Sequence, residues 1–467
     1  MAHPQIQLEA TGKAMHELAT ELYPICRSIT GDGVRETLAR LGRLIPLEVR
    51  EVPTGEQAFD WTIPQEWNIR DAYIKDAAGR RVVDFRESNL LVVHGSRPIR
   101  ETIRWEELKP HLHTLPDHPG WIPYRTCHHT NDWGFCLSHD QFEQLEHLAK
   151  AADREYEVCI DATLCDGSLT YGELLVPGET SDEVLISTHI CHPSLANDNL
   201  SGISVATHLA RYVREQPRRY TYRFLFLPAT IGAIAWLSAN ESDVDRVKHG
   251  WVLSVVGDAG PSTYKKSRRG DAEVDRAFEH ILRSSGQPYS LVEFDPLGYD
   301  QRQFCSPGFN LPMGCLMRTP NGRYPEYHTS ADNLDLIQPE FLADSWAKCT
   351  AVVRVLEGNR RYANLNPKCE PRLGPRGLYH AFGARPDREH LQAATMWVLN
   401  FSDGGHTLLD IAERSDIDFD TIREAADLLI EHELLEKVID HRTTAAGAAC
   451  NPERADGRAI LDNPLQT

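Results

Sequence analysis

Apolar positions recur every three or four residues near the start of the chain, at Leu18, Leu22 and Ile25, and predict helix across much of residues 1–45. Between about 50 and 145 the texture changes to short alternating runs such as RVVDF and NLLVVHG, set among Pro, Trp and His, which predict small strands. From about 155 the pattern is strand, loop, helix. EVLISTHI (183–190) is followed by ISVATHLARYVREQ, YRFLFLPA (222–229) by IGAIAWLSAN, and WVLSVVGDAG (251–260) is a third buried run. Strands alternating with helices predict an α/β domain with a mainly parallel central sheet and helices on both faces. Ligands of such sheets sit beyond the carboxyl ends of the strands. The polar residues just after these three runs are therefore the first place to look for chemistry.

The final zone follows a Pro/Gly-rich stretch, NPKCEPRLGPRG (366–377). TLLDIAERSDIDFDTIREAADLLIEHELLEKV then reads as helix, turn, helix, with apolar faces at Leu408, Leu409, Ile411 and Ala412 and at Ile422, Ala425, Leu428 and Leu429. The expected organisation is a discontinuous core of 1–45 and 146–365, an inserted β-rich domain of 46–145, and a winged helix of 376–467.

Composition narrows the function. The chain has 467 residues, enough for two or three domains of ~150 residues each. Its 49 Lys and Arg against 68 Asp and Glu leave a net charge of −19, unfavourable for a phosphate-rich partner. The winged-helix segment is sharper still: residues 401–440 carry twelve acidic and three basic side chains, so it reads as a protein-contact or packing module, not a DNA reader. No apolar run is long enough to span a bilayer, and the first residues lack the layout of a signal peptide. Eleven cysteines, Cys26 to Cys450, form no CxxC pair, which predicts free thiols and a cytoplasmic location. No nucleic-acid or membrane partner is expected, and a homo-oligomer is compatible with the pattern without being required by it.

The informative stretch is Ser187-Thr-His-Ile-Cys-His-Pro-Ser-Leu-Ala-Asn-Asp-Asn-Leu-Ser-Gly202. It sets His189 and His192 at a strand end and Asp198 in a loop that opens a helix. Imidazole and carboxylate are ligands that zinc takes, and the neighbouring Asn and Ser are suited to orient them. Two residues nine apart are weak alone, and a hydrogen-bonded loop would account for them. Asp258 after the third strand and Tyr327-His328-Thr-Ser-Ala-Asp-Asn-Leu-Asp335 strengthen the case. Together these motifs resemble the co-catalytic zinc aminopeptidases of the bacterial leucyl type. They resemble most a subgroup described as aminopeptidase-like, with an inserted small domain and a C-terminal winged helix, often encoded in polysaccharide or natural-product gene clusters. The resemblance spans nearly the whole chain, including WTIPQEWNIRDAYI in the insert and THICHPSLANDNLSG in the core.

The resemblance implies one or two zinc ions held by His189, Asp198 and His328, with Asp198 bridging. Asp258 is a further implied ligand, although the family's Asp in that strand falls earlier, near Ser254. His192 is implied as a ligand or a substrate-facing group, and Cys191 stands where an Asp usually supports the first His. In Phe226-Leu-Pro-Ala229-Thr230-Ile-Gly232 the chain departs from the family, which has two adjacent glutamates there, a general base and a metal ligand. The subgroup reads Pro-Glu-Thr-Ile-Gly, whereas here the base position is Ala229. A methyl group takes no proton, and losing a general base costs on the order of 10²–10⁴ in rate. One explanation is a chain deliberately disabled so that it holds a substrate or product, favoured by the match of the rest of the site. The other is a natural non-catalytic relative.

By analogy, the loop Gly298-Tyr-Asp-Gln-Arg-Gln-Phe-Cys-Ser-Pro307 approaches the metal. Asp300 is then suited to an amino group and Arg302 to a carboxylate, a surface ion pair being the alternative. Tyr327 is suited to stabilise an oxyanion or simply to pack. The histidine-rich HLHTLPDHPGWIPYRTCHH (111–129) predicts a polar, aromatic-bordered wall over the pocket, with a second metal site as the alternative. The implied activity is hydrolysis of an amide or aminoacyl bond in a small peptide-like molecule or biosynthetic intermediate, in a chain impaired by Ala229. Its rival is a metal-binding scaffold that recruits a protein partner through its winged helix. A transcription regulator is disfavoured by the acidic helices.

Overall fold

The computed structural model describes residues 4–151, 155–378 and 388–438, in two compact units that divide between Gly358 and Asn359. Residues 379–387 and 439–467 of the predicted winged-helix segment, with Cys450, lie outside the described residues, as do the first three residues. The ten cysteines among the described residues are all free.

The first unit is built on an eight-stranded mixed sheet. Its strands are β1 (Glu48–Pro53), β2 (Ser168–Val176), β3 (Glu183–His189), β4 (Thr221–Leu227), β5 (Val247–Leu253), β6 (Ser262–Lys265), β7 (Tyr289–Val292) and β8 (Met313–Met317). Their spatial order is β1-β2-β4-β3-β5-β8-β6-β7. The centre, β4-β3-β5-β8, is parallel, and antiparallel β1 and β2 close one side. Every residue of β3 is buried, so both faces of the sheet are covered, as parallel strands require. Leu185, Leu225, Leu227 and Val252 share a core with Trp236 of the helix that follows β4. Helices α1 (Pro4–Leu22), α2 (Gly202–Glu215) and α3 (Pro339–Gly358) pack on one another.

The predicted third strand, 251–260, is out of position: β5 starts at Val247 and ends at Leu253. Beyond it Val255 takes a left-handed backbone, φ +49°, which a β-branched residue adopts only under strain. From β3 the chain moves to β4 on one side and returns to β5 on the other. This is a topological switch point, and it opens a crevice at the carboxyl end of β3.

The insert forms its own four-stranded antiparallel sheet, in the order Arg81–Asp84, Glu66–Lys75, Glu155–Cys165, Ile99–Arg104. Its core holds Trp67, Trp105, Phe135, Tyr156 and Val158. Its edges differ from the expected 46–145, because β1 pairs with β2 in the main sheet while Glu155–Cys165 belongs to the insert.

The second unit begins before the Pro/Gly stretch. Strand β9 (Arg361–Asn364) lies between β10 (Asp403–Thr407) and β11 (Leu435–Lys437) in a small sheet. The expected helix pair runs over Leu408–Ser415 and Phe419–Glu431. Thr407 and Asp410 cap the first in a reciprocal box, and Asp418 accepts from the Thr421 amide at the start of the second.

Candidate metal and ligand site

His189 is the last residue of β3, and the polar loop after it folds back over the crevice. Asp198 receives three imidazoles. His189 Nε2 lies 2.8 Å from Oδ1, His328 Nε2 3.0 Å from Oδ2 and His192 Nε2 3.8 Å from Oδ2. One ligand atom each from His189, His192 and Asp198 fall within 4.8 Å of one another. The Tyr299 hydroxyl donates to Asp198 Oδ2 at 2.7 Å, and the Tyr327 hydroxyl donates in turn to Tyr299 at 2.7 Å. Tyr299 stacks on His189 and Tyr327 on His328, so the two tyrosines brace both rings and the carboxylate.

Burial raises the Asp198 pKa, but His192, His189 and His328 outweigh it and hold the carboxylate well below its ordinary range. Burial in turn pushes His192 well below the ordinary imidazole value, only partly offset by Asp198. An ionised carboxylate beside the neutral His192 ring is the protonation state metal binding needs. The chemistry of the donor set therefore fits a divalent cation such as zinc. His328 Nε2 adds to the fit, because it is buried and lacks a hydrogen bond despite its nearness to Asp198.

The supports come from several elements. Asn199 donates to Thr188 Oγ1 and to the Leu253 carbonyl and accepts the Val255 amide, clamping the loop between β3 and the end of β5. The expected orienting role is divided: the Asn199 side-chain amide also lies 3.2 Å from His189 Nδ1, whereas Ser201 acts through the backbone, bonding the Asn197 carbonyl and the Val256 amide. The glycine that follows is required by space: a Cβ at Gly202 would lie 2.5 Å from the Asn199 amide and 2.7 Å from the Leu253 carbonyl. Asp332 accepts the amides of Asn197 and Asp198, and burial beside Asp198 lifts its pKa to about 8. Strain gathers here as well, with Ser194 and His328, like Val255, at positive φ.

Other expected residues fall differently. Asp258 is not among the converging side chains, because it lies five residues past the end of β5 instead of at it. Its oxygens accept from Asn197, the Gly260 amide, and the amide and hydroxyl of Thr319, which makes it a structural carboxylate. Ser254, directly after β5, is fully buried with an unpartnered hydroxyl. Cys191 is buried against His192 Nδ1 and the Ala229 amide, and burial lifts its thiol to about 12. Among the described residues Asp300 forms no surface ion pair. It is fully buried, both its oxygens lack hydrogen bonds, and burial raises its pKa to about 6 against the pull of His189 and Arg302.

A cavity of about 370 Å³ opens beside the cluster, and Ala229, Thr230, Arg302, His192 and His328 are in its wall. The insert supplies the other side with Trp61, Tyr124, Thr126, His128 and His129. It is fastened there by hydrogen bonds from the Tyr124 amide to the His328 carbonyl and between Ile122 and Ser330. Part of the histidine-rich segment is thus a wall, and among the described residues no second group of ligating side chains converges. Elsewhere in it, His111 stacks on Trp133 and His118 on Trp121.

Sequence reasoning missed Tyr299, Asp332, Tyr124 and Arg27. The first three sit inside the quoted motifs, so their position was a signal. Arg27 carried none: it is fully buried, with Nε on the His192 carbonyl and Nη1 on the Leu22 carbonyl.

Comparison with known proteins extends this picture. Residues 360–437 match a winged helix-turn-helix family. A Clostridium acetobutylicum protein, provisionally named for polysaccharide biosynthesis and an aminopeptidase-like domain, is 48% identical over 92% of this chain and 97% of its own. A crystal structure described as a peptidase, again provisionally, from the same organism has a TM-score of 0.87 at 47% identity, over 92% of this chain and 97% of that one. The zinc aminopeptidase BSAP of Bacillus subtilis shares the fold, with a TM-score of 0.54 at 15% identity over 74% of this chain and 95% of its own. Residues 16–359 match the domain of unknown function DUF4910. The chain therefore belongs to the DUF4910 family, an aminopeptidase-like domain carrying a C-terminal winged helix.

Proposed function

We propose that the first unit is a zinc-dependent amide hydrolase of aminopeptidase type, acting on a small peptide-like or aminoacylated biosynthetic intermediate. The observation that carries this reading is the gathering of three imidazole nitrogens within 3.8 Å of one buried carboxylate, at a strand end beside a cavity. His189, Asp198 and His328 would hold the metal, with His192 as a fourth donor. With Asp258 engaged elsewhere and Thr230 at the second-ligand position, the donor set serves one ion. When bound, zinc supplies Lewis-acid polarisation of the scissile carbonyl. The chain's own residues hold the site: Tyr299 and Tyr327 fix the Asp198 carboxylate, and the Asn199 clamp sets the loop. The relative's name, with its mention of polysaccharide biosynthesis, supports a biosynthetic setting.

Ala229 supports a second reading, a metal-binding scaffold without turnover that works through a protein partner of its winged helix. Elemental analysis of the purified protein distinguishes a metal site from a relic. About one zinc per chain is expected, lost in His189→Ala and His328→Ala. Restoring the carboxylate with Ala229→Glu then separates enzyme from scaffold. Amide hydrolysis should rise on the order of 10²–10⁴-fold over the parent chain if the machinery is otherwise intact. An unchanged rate would favour the scaffold.

A further inference from the structure

The described residues that line the cavity include no Asp or Glu. That is notable in a chain with net charge −19 and a site of aminopeptidase type, where a free α-ammonium would call for a carboxylate in the wall. What the wall does carry is Arg302. Its guanidinium makes no hydrogen bond or ion pair among the described residues, and its Nε is buried without a partner. It stands in the wall with Ala229 and Thr230, neither of which offers a carboxylate to oppose this cation on the cavity side. Arg27, fully buried and without an ion pair among the described residues, donates to the carbonyl of the lining His192 and has one Nη unpartnered.

The opposing charges are accounted for. Asp198 is enclosed by imidazoles and tyrosine, and Asp300, the carboxylate that acts on Arg302, is fully buried and absent from the lining. The lining histidine His128 adds no charge near neutrality, because burial lowers its pKa to about 3. The remaining wall, from Trp61 and Tyr124, offers flat faces for an apolar body.

From this arrangement we infer that the cavity recognises a small carboxylate, with Arg302 as its anchor, and does not recognise a protonated amine. A guanidinium fork suits a planar carboxylate bidentately, and about 370 Å³ admits a molecule the size of an N-acylated amino acid. The inference rests on the site proposed above but concerns binding alone, so it holds whether or not the chain turns over.

The test is calorimetric binding to the full chain of N-acetyl-L-alanine, N-acetyl-L-alaninamide, L-alaninamide and inorganic phosphate. The carboxylate should bind at least tenfold more tightly than its uncharged amide or the cationic L-alaninamide. Arg302→Gln should remove at least tenfold of that affinity, and Arg302→Lys should restore part of it. Thermal melting of each variant separates lost binding from lost folding. Ala229→Glu, which places a carboxylate in the wall, should weaken N-acetyl-L-alanine binding on its own. Equal or tighter binding of L-alaninamide, or an Arg302→Gln variant that binds as the parent does, would overturn the inference. So would Arg302-dependent binding of phosphate tighter than that of the carboxylate. Carboxylate binding without hydrolysis by Ala229→Glu would leave the inference standing and remove the hydrolase reading, while hydrolysis without carboxylate preference would do the reverse.

Discussion

His94 shows how a single residue of the insert carries a pH dependence. Its ring is fully buried between Trp67 and Tyr124, with Nε2 on the Asn89 carbonyl and Nδ1 unpartnered. Burial lowers its pKa to about 4, whereas an unfolded histidine ionises near 6.5. Between those values the unfolded chain binds the proton and the folded chain does not, so stability falls as the pH falls through that window. This ring alone should cost about 2 kcal/mol by pH 5 relative to pH 7. Urea unfolding at the two pH values checks it: His94→Gln should lose less stability on acidification than the parent, and equal losses would assign the titration elsewhere. The same scale explains the two misjudged carboxylates. Asp258 and Asp300 are both acidic residues in polar loops near predicted strands, and only their partners distinguish them. One has four donors and the other has none.

At the scale of elements, the loop between β3 and α2 both carries His192 and Asp198 and clamps itself in place. Asn199 joins it to the ends of two strands, and Gly202 leaves the space that lets it do so. Replacing Asn199 with Ala strands the Val255 amide in the interior, at about 1–3 kcal/mol for the unmet group, while the Thr188 hydroxyl keeps its bond to the Leu253 carbonyl. Asn199→Ala should therefore unfold at lower urea with or without metal, and should retain zinc at least tenfold less tightly, because the outer partners set the ligands. Stability equal to the parent in metal-free protein would contradict the clamp. The Asn-Asp-Asn-x-Ser-Gly string was conspicuous in the sequence. Its partners on β5 were not, because that strand ends seven residues before the apolar run does.

Across the whole molecule, charge sets an expectation for the second unit. With twelve acidic and three basic side chains in residues 401–440, repulsion from phosphate would oppose binding most where salt does not screen it. The full chain should leave duplex DNA unshifted in a gel at low ionic strength, and a salt-dependent shift would reverse that view. No helix among the described residues is long and apolar enough to cross a membrane. Much of this plan was legible in the chain itself. The apolar runs at 183–190 and 222–229 became β3 and β4, and the paired apolar faces near Leu408 and Ile422 became two helices, because burial periodicity is a local property. Of the cluster, His189 was placed by those runs, at the end of one, whereas Asp198 and His328 were singled out by the resemblance of their motifs to a known family. Only the tertiary structure decided that Tyr299 and Asp332 brace the cluster, that Asp258 belongs to Thr319, and that Trp61, Tyr124 and Arg302 share one cavity. Those contacts join residues from tens to a few hundred positions apart, and which of them meet depends on strand order and on the seating of the insert, neither of which leaves a local pattern in the sequence.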